Sequence, residues 1–331
     1  MGNVCLVTGA NGHLGNNLVR ALLDKKWTVR AGVRNLANSQ PFVGLDCELV
    51  YAELEDKEAM VKALQGVDVL FQVAAVFKHW AKDPEAEIVA ANVNGTRIVL
   101  EAAAQAGVKK VVYISSVAAI GHNGESLDES QWNTDMSNPY YRSKILSEQQ
   151  AWKTAKELGL SMVSLLPSAM IGPNAHALTD TMEFIEMVRT KQVPLNPNFH
   201  FNFIDVRDVA EAAISAANEG KEGERYIVAN KNSSAFKSIV EAANFVKPGY
   251  KTPATAPKWL LLCIAYLSES VSKITAKRAS MTVSQVNLFY GVKQEYNTSK
   301  SLTAFNFAPR SPEQALKEVF LYLESRQDKA G

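Results

Sequence analysis

The apolar positions of this chain alternate between two patterns. Residues 3–8, 28–33, 47–51, 67–75, 110–115 and 161–166 are short runs rich in β-branched, leucine and aromatic residues. Between them lie longer segments with apolar residues three or four apart: 16–25, with Leu18, Leu22 and Leu23 on one face, then 57–65, 88–106 and 140–158. A run that is apolar throughout reads as a strand covered on both faces, and 67–75 comes close to that. Spacing near 3.6 reads as a helix buried along one stripe. Strands alternating with helices imply right-handed crossovers and a parallel sheet. The pattern predicts a doubly wound α/β fold, whose ligands sit at the carboxyl ends of the strands.

After residue 167 the alternation changes. Residues 167–200 carry repeated Pro and Asn, with one short helix near 181–189. Residues 201–218 predict a strand leading into a helix, and 225–229 another strand. Residues 248–298 start Pro-rich and continue apolar and helical. The expected organisation is a nucleotide-binding domain over 1–167, to which 201–247 and a C-terminal helix 299–326 return. A smaller substrate lobe comes from 168–200 and 248–298. The stretch 259–267, Trp-Leu-Leu-Leu-Cys-Ile-Ala-Tyr-Leu, is apolar nearly all round. It predicts a core helix of that lobe, with a lid or a membrane-leaning face as alternatives. It is far short of the ~20 residues needed to span a bilayer, so no stable membrane insertion is expected.

Composition narrows the function classes. The 331 residues are 47% hydrophobic and 21% charged, with net charge +1, which is ordinary globular composition. No basic excess points to nucleic acid. The three cysteines, Cys5, Cys47 and Cys263, show no metal or disulfide spacing and fit a reducing cytosol. The N-terminus runs directly into a strand pattern, so no signal peptide is expected and the location reads as cytoplasmic.

The first strand ends in Thr8-Gly9-Ala10-Asn11-Gly12-His13-Leu14-Gly15, and a helix follows at once. Gly9 allows the tight turn, Gly12 lets a pyrophosphate approach the backbone, and Gly15 lets helix and strand pack closely. The phosphates would sit at the helix N-terminus, where open N–H groups and the dipole favour negative charge. The second strand ends Val33-Arg34, with no acidic residue for a ribose 2′-hydroxyl. Arg34 suits a 2′-phosphate instead, so the expected cofactor is NADP(H). Arg30, four residues earlier, is expected to point elsewhere.

Tyr140 and Lys144 form a Y-x-x-x-K pair, one turn apart on a predicted helix. An ammonium at Lys144 would favour the phenolate and lower the tyrosine pKa. Tyr140 could then exchange a proton with a carbonyl or alcohol oxygen. Upstream, the fifth strand ends in Ser115-Ser116. Ser116 there faces the ligand crevice and can orient a substrate oxygen. His122, shortly after, reads as a satisfied loop histidine.

These pieces together resemble an extended short-chain dehydrogenase/reductase, over nearly the whole length from Thr8 to Pro309. Within it the chain is most similar to the dihydroflavonol-4-reductase-like branch, with Val33-Arg34 ending strand two and a Val73-Ala74-Ala75 turn after strand four. Asn92-Val93-Asn94-Gly95-Thr96, Pro167-Ser168 before Gly172-Pro173, and Phe203-Ile204-Asp205-Val206 are further family-like segments. The resemblance implies a Rossmann fold and a catalytic Ser116, Tyr140 and Lys144. It implies cofactor contacts at Gly9 and Asn11 through Gly15, including His13 and Leu14. Others are Arg34, the Val73–Ala75 turn, Ser115, and Pro167 with Ser168, besides Tyr140 and Lys144 themselves. Two departures stand out. Gln72 replaces the usual His, and Glu53-Leu54 replaces the Asp-Leu that touches adenine in relatives.

The expected function is an NADPH-dependent reductase of an aldehyde or ketone. Its partner would be a small carbonyl or alcohol substrate, and its state a monomer or homodimer. Phe77, Trp80 and Met170 are candidate substrate contacts, with loop packing an equal reading of the two aromatics. The competing readings are a nucleotide-sugar or hopanoid-associated epimerase or dehydratase retaining NAD, and a 3β-hydroxysteroid-type alcohol dehydrogenase. A further one is a redox sensor that only binds the dinucleotide. The segment Leu166-Pro167-Ser168-Ala169-Met170 lacks the Asn-Pro pair of many sugar-nucleotide epimerases. A sensor has no need of the Ser–Tyr–Lys set.

Overall fold

A computed structural model describes residues 3–75, 83, 85–122, 127–275 and 279–327. The strands are β1 (Val4–Thr8), β2 (Thr28–Val33), β3 (Glu48–Tyr51), β4 (Val69–Gln72), β5 (Lys110–Ile114) and β6 (Met162–Pro167). They continue with β7 (Ala169–Ile171), β8 (His200–Phe201), β9 (Phe203–Asp205), β10 (Arg225–Val228) and β11 (Ser234–Ala235). The helices are α1 (His13–Asp24), α2 (Lys57–Leu64), α3 (Ala91–Ala106), α4 (Pro139–Leu158), α5 (Asp180–Arg189) and α6 (Val206–Glu219). They continue with α7 (Phe236–Val246), α8 (Lys258–Thr275), α9 (Val283–Phe289), α10 (Ser299–Ala304) and α11 (Pro312–Gln327).

Seven strands form one parallel sheet in the order β10-β6-β5-β4-β1-β2-β3. Period-2 alternation divides their side chains between two cores. Cys5, Val7, Phe71, Val112 and Ile114 face α1 and α6, where they meet Leu18, Leu22, Val209 and Ala213. Leu6, Leu70, Val111 and Tyr113 face α2, α3 and α4, where they meet Met60, Leu100 and Ala151. This is the doubly wound α/β architecture expected from the apolar pattern. The chain leaves β1 toward β2 and later returns to β4 on its other side. That reversal opens a crevice at the carboxyl ends of β1 and β4.

Several boundaries differ from the sequence reading for identifiable reasons. α1 begins at His13, because the glycine loop feeds straight into it. β4 stops at Gln72: the N–H groups of Val73 and Ala74 turn to the Thr8 hydroxyl, each at 3.0 Å. A π-helical turn over Glu85–Ala90 precedes α3. The expected C-terminal helix 299–326 is two helices, since Pro309 and Pro312 cannot continue a helix and Asn306 adopts φ +44. The expected core helix at 259–267 is part of α8, which buries only the face of Leu261, Ala265 and Ser272. The sequence reading did not single out α7. It shares a core with α5 and α11, through Ile185, Val240 and Phe320.

One buried ion pair fixes α4 to the sheet. Glu148 accepts five hydrogen bonds, from Ser115, Trp152, Ser164 and twice from Arg225, over 2.8–3.2 Å. Arg225 also donates to the Glu129 and Gln131 carbonyls and lies over the Trp132 ring, its guanidinium carbon 3.9 Å from the centroid. Replacing Glu148 by Ala leaves a buried cation unpaired, which costs about 3–5 kcal/mol. A fall of that size in urea-denaturation stability is the expected result; a change below about 1 kcal/mol contradicts the anchoring role.

Candidate active site

The glycine loop closes on itself. Gly9 adopts φ +61, and a Cβ there would lie 3.0 Å from the Ala74 Cα. A Cβ on Gly15 would lie 2.2 Å from the Gly9 carbonyl oxygen, so no side chain fits at that crossing. Gly12 is the N-cap of α1, and no side chain caps the helix. The opening N–H groups of a helix lack partners within it, and here they face the crevice side of the sheet. Asn11 is half-buried and Gly12 exposed beside them. Leu14 packs into the core, so only its backbone is available to a ligand.

Thr8 joins this loop to the exit of β4. Its hydroxyl accepts from Val73 and Ala74 and donates to Gln72 Oε1 at 2.9 Å, while Gln72 Nε2 donates to the Ala74 carbonyl. Gln72 thus holds the Val73–Ala75 turn from beneath. Ala75 is exposed. Glu53 accepts from the Leu54 N–H at 2.9 Å, and Leu54 lies under Gly95 of α3. Arg34 stands exposed directly after β2. Arg30 points away, to Glu48 at 2.9 Å and to the Ala63 and Gln65 carbonyls.

The imidazole of His13 is spent on structure. Its Nε2–H donates to the carbonyls of Gly172 and Pro173, at 3.2 and 3.1 Å, and Asn17 donates to Pro173 beside it. Burial pushes its pKa down to about 4, partly offset by those carbonyls. His13 therefore clamps α1 to the segment after β7 through Nε2, while its buried Nδ1 has no hydrogen-bond partner among the described residues. Nearby, Pro167 ends β6, and the Ser168 N–H donates to Val228. The Ser168 hydroxyl is buried without a partner. Met170 is half-buried against the core around α1 and α6. Phe77 and Trp80 lie outside the described residues.

The Ser–Tyr–Lys set comes together. Asn138 caps α4, its Oδ1 accepting from the N–H groups of Tyr140 and Tyr141 at 3.0 and 3.2 Å, with Pro139 at the first helical position. Asn-Pro before a helical pattern was a readable start signal that sequence reasoning left unused. Ser116 follows β5 and caps the 3₁₀ turn Val117–Ala119. Its hydroxyl hydrogen-bonds Tyr140. Lys144 Nζ lies 5.9 Å from the Tyr140 ring centroid. Ser115 faces the other way: its hydroxyl donates to Glu148 and its N–H to the Leu165 carbonyl. Both of its donors are engaged, so it offers a cofactor no hydrogen.

The electrostatics correct the sequence expectation. Tyr140 is not lowered; burial pushes its phenol up to about 12, against the Ser116 hydrogen bond that favours the phenolate. Lys144 is pushed down to about 8, again by burial, with Glu148 acting the other way. In both residues desolvation is the largest cause. At neutral pH the tyrosine is a proton donor and the lysine is still largely charged. His122 is a second correction. It is only 4% exposed, neither ring nitrogen has a partner among the described residues, and it packs at 5.2 Å from Tyr141 and 6.0 Å from Phe289 of α9.

With this geometry in place, comparison with known proteins is informative. The sequence model of the NAD dependent epimerase/dehydratase family matches residues 5–229. The chain belongs to that family. A putative dihydroflavonol 4-reductase of Synechocystis is 34% identical, covering 98% of this chain and 96% of its own. Cinnamoyl-CoA reductase CAD2 of Medicago truncatula is 32% identical over 76% of this chain and 83% of its own. The crystal structure of gox2253 superposes with TM-score 0.84 at 29% identity, covering 98% of both chains. These relatives bear out the resemblance to extended short-chain reductases of the dihydroflavonol-4-reductase-like branch.

His13 gives the site a pH signature. Its folded-state pKa lies below the ordinary 6.5, so its contribution to stability is present above that value and is lost as pH falls toward about 4. The loss amounts to about 3 kcal/mol at 1.36 kcal/mol per pKa unit. Replacing His13 by Gln, which can still donate, should flatten the stability profile between those pH values. An unchanged profile in urea unfolding would contradict the assignment.

Proposed function

We propose that this chain is an NADPH-dependent carbonyl reductase, converting an aldehyde or ketone to an alcohol with Tyr140 as proton donor. The observation that carries the reading is the Tyr140 phenol itself. It is hydrogen-bonded by Ser116, protonated at neutral pH, and set beside Lys144 on the carboxyl edge of the sheet that carries the glycine loop. The residues present suit a dinucleotide. The uncapped start of α1 and the glycine crossing receive the pyrophosphate. Arg34 takes a 2′-phosphate. Glu53, Leu54 and the Val73–Ala75 turn line the adenosine side, while Pro167 and the unpartnered Ser168 hydroxyl meet the nicotinamide side. In this reading 1–167, 201–247 and the C-terminal residues hold the cofactor, and 168–200 with 248–298 form the substrate lobe.

When bound, NADPH supplies a hydride to the carbonyl carbon. Ser116 orients and polarises the carbonyl oxygen. Tyr140 gives its proton to that oxygen as negative charge develops there. Lys144 stabilises the phenolate left behind and holds the ribose hydroxyls. A tyrosine resting as the neutral phenol favours reduction over oxidation, because oxidation starts from the phenolate.

The decisive experiment is NADPH oxidation by the purified protein across aliphatic and aromatic aldehydes, diketones, ketosteroids and a dihydroflavonol, with NADH in parallel. Turnover with NADPH is expected. Tyr140→Phe should cut kcat by about 10²–10⁴ while cofactor affinity holds. Arg34→Ala should raise the NADPH KM about tenfold and leave NADH unchanged, a loss of about 1.4 kcal/mol. Absence of turnover together with tightly retained NAD would overturn the reading in favour of an epimerase.

The reductive rate should also fall as pH rises through about 8, where Lys144 loses its charge. Lys144→Arg, which stays charged, should remove that alkaline limb. A limb that persists in the arginine variant assigns it to another group.

A further inference from the structure

The helix α8 presents its apolar side to solvent. Trp259, Tyr266, Leu267, Val271 and Ile274 are each more than half exposed, and Ile274 reaches 86%. Cys263 and Ile264 are exposed among them. At about 100° per residue, the positions from Tyr266 through Trp259, Cys263, Ile274 and Leu267 to Val271 fall within an arc of about 140°. Ser270 is the only polar residue of that arc. The opposite face, with Leu261, Ala265 and Ser272, packs on α9, Leu195 and Ala256. A soluble helix normally shows the reverse, with polar residues outward.

The charges around this face select its occupant. Within α8, Lys258–Thr275, the sequence carries two cations and one carboxylate. Lys258 opens the helix, and Lys273 borders the apolar arc beside Tyr266; both are exposed. The one carboxylate, Glu269, turns inward and accepts from the Val283 N–H at 2.9 Å. Lys273 lends the rim of this face a positive charge. A single helix about 27 Å long and 10 Å wide falls well short of the ~800 Å² per partner of a standard interface. Trp and Tyr, each with an apolar ring and a polar edge, favour the boundary between water and acyl chains. No helix among the described residues is long and apolar enough to cross a membrane.

We propose that α8 is an interfacial docking helix that lays its Trp259–Ile274 face on a lipid bilayer bearing anionic headgroups. The apolar arc enters the acyl boundary while Lys273, at its edge, stays at headgroup level. This takes up the membrane-leaning alternative over the core helix first expected of the sequence, and it does not depend on the reductase reading. It places the bilayer one helix away from the candidate site. α9 packs between the two, its Ser284 accepting from Asn138 at 3.0 Å and its Phe289 lying 6.4 Å from Tyr141.

The test is co-sedimentation of the full chain with phosphatidylcholine vesicles, with and without phosphatidylglycerol. Binding to the phosphatidylglycerol vesicles is expected, weakened by salt and much weaker on phosphatidylcholine alone. Leu267→Glu with Ile274→Glu alters only exposed positions, so the thermal midpoint should hold while vesicle binding falls at least tenfold. Lys273→Ser should weaken binding to the anionic vesicles about fivefold, the effect of one cation near the surface. Failure of the wild-type chain to bind either vesicle would overturn the proposal. So would undiminished binding by the double variant. A wild-type dimer in solution that the double variant abolishes, without vesicle binding, would assign the face to a second copy instead.

Discussion

The candidate site depends on the burial of Glu148. An ionised carboxylate in a core is costly unless every lone pair is met, and here five donors from β5, β6, β10 and α4 itself converge on it. The result is a rigid α4 whose first two turns carry Tyr140 and Lys144. Glu148 also lies one turn beyond Lys144 and helps to keep that ammonium charged against the desolvation that lowers it. Ser115 belongs to this network rather than to the crevice, which explains why only the second of the two serines meets Tyr140. Adjacent residues leaving a strand point to opposite sides, and the carboxylate claims one of them.

Burial sets the chemistry as well as the structure. The simple electrostatic picture has the lysine pulling the tyrosine toward its phenolate. The enclosed setting at the start of α4 reverses the sign, raising the phenol and lowering the ammonium. A phenol that holds its proton through neutral pH is a resting acid. The Ser116 hydrogen bond then favours the phenolate form that appears as the proton leaves. These two opposing influences fit a group that must release a proton only when negative charge develops nearby.

The central sheet was legible because buried parallel strands leave continuous apolar runs, and the glycine loop because no side chain can stand at Gly15. The Tyr140–Lys144 spacing was legible for the same geometric reason. What escaped the sequence reading depends on tertiary context. The direction of the Tyr140 shift is set by enclosure, not spacing. His122 looked like a satisfied loop histidine, yet its partners are the rings of Tyr141 and Phe289, and Phe289 is far away in sequence. His13 sat in a cofactor motif, but its ring is claimed by Gly172 and Pro173. The buried side of α8 could not be read, because nearly continuous hydrophobicity does not say which side a fold covers, and core, lid and membrane-leaning face all stayed open.

The cap of α4 also reaches α9. Asn138 binds the N–H groups of Tyr140 and Tyr141 through its oxygen and Ser284 through its amide nitrogen. One side chain therefore sets the start of the helix that bears the proton donor and ties it to α9. The elements bearing the glycine loop and the serine are held by the sheet, where strand pairing allows little movement. The elements beyond α9 are held by a smaller core of Ala256, Leu261, Ala265 and Val286. Through Asn138 the start of α4, and so Tyr140, is tied directly to α9.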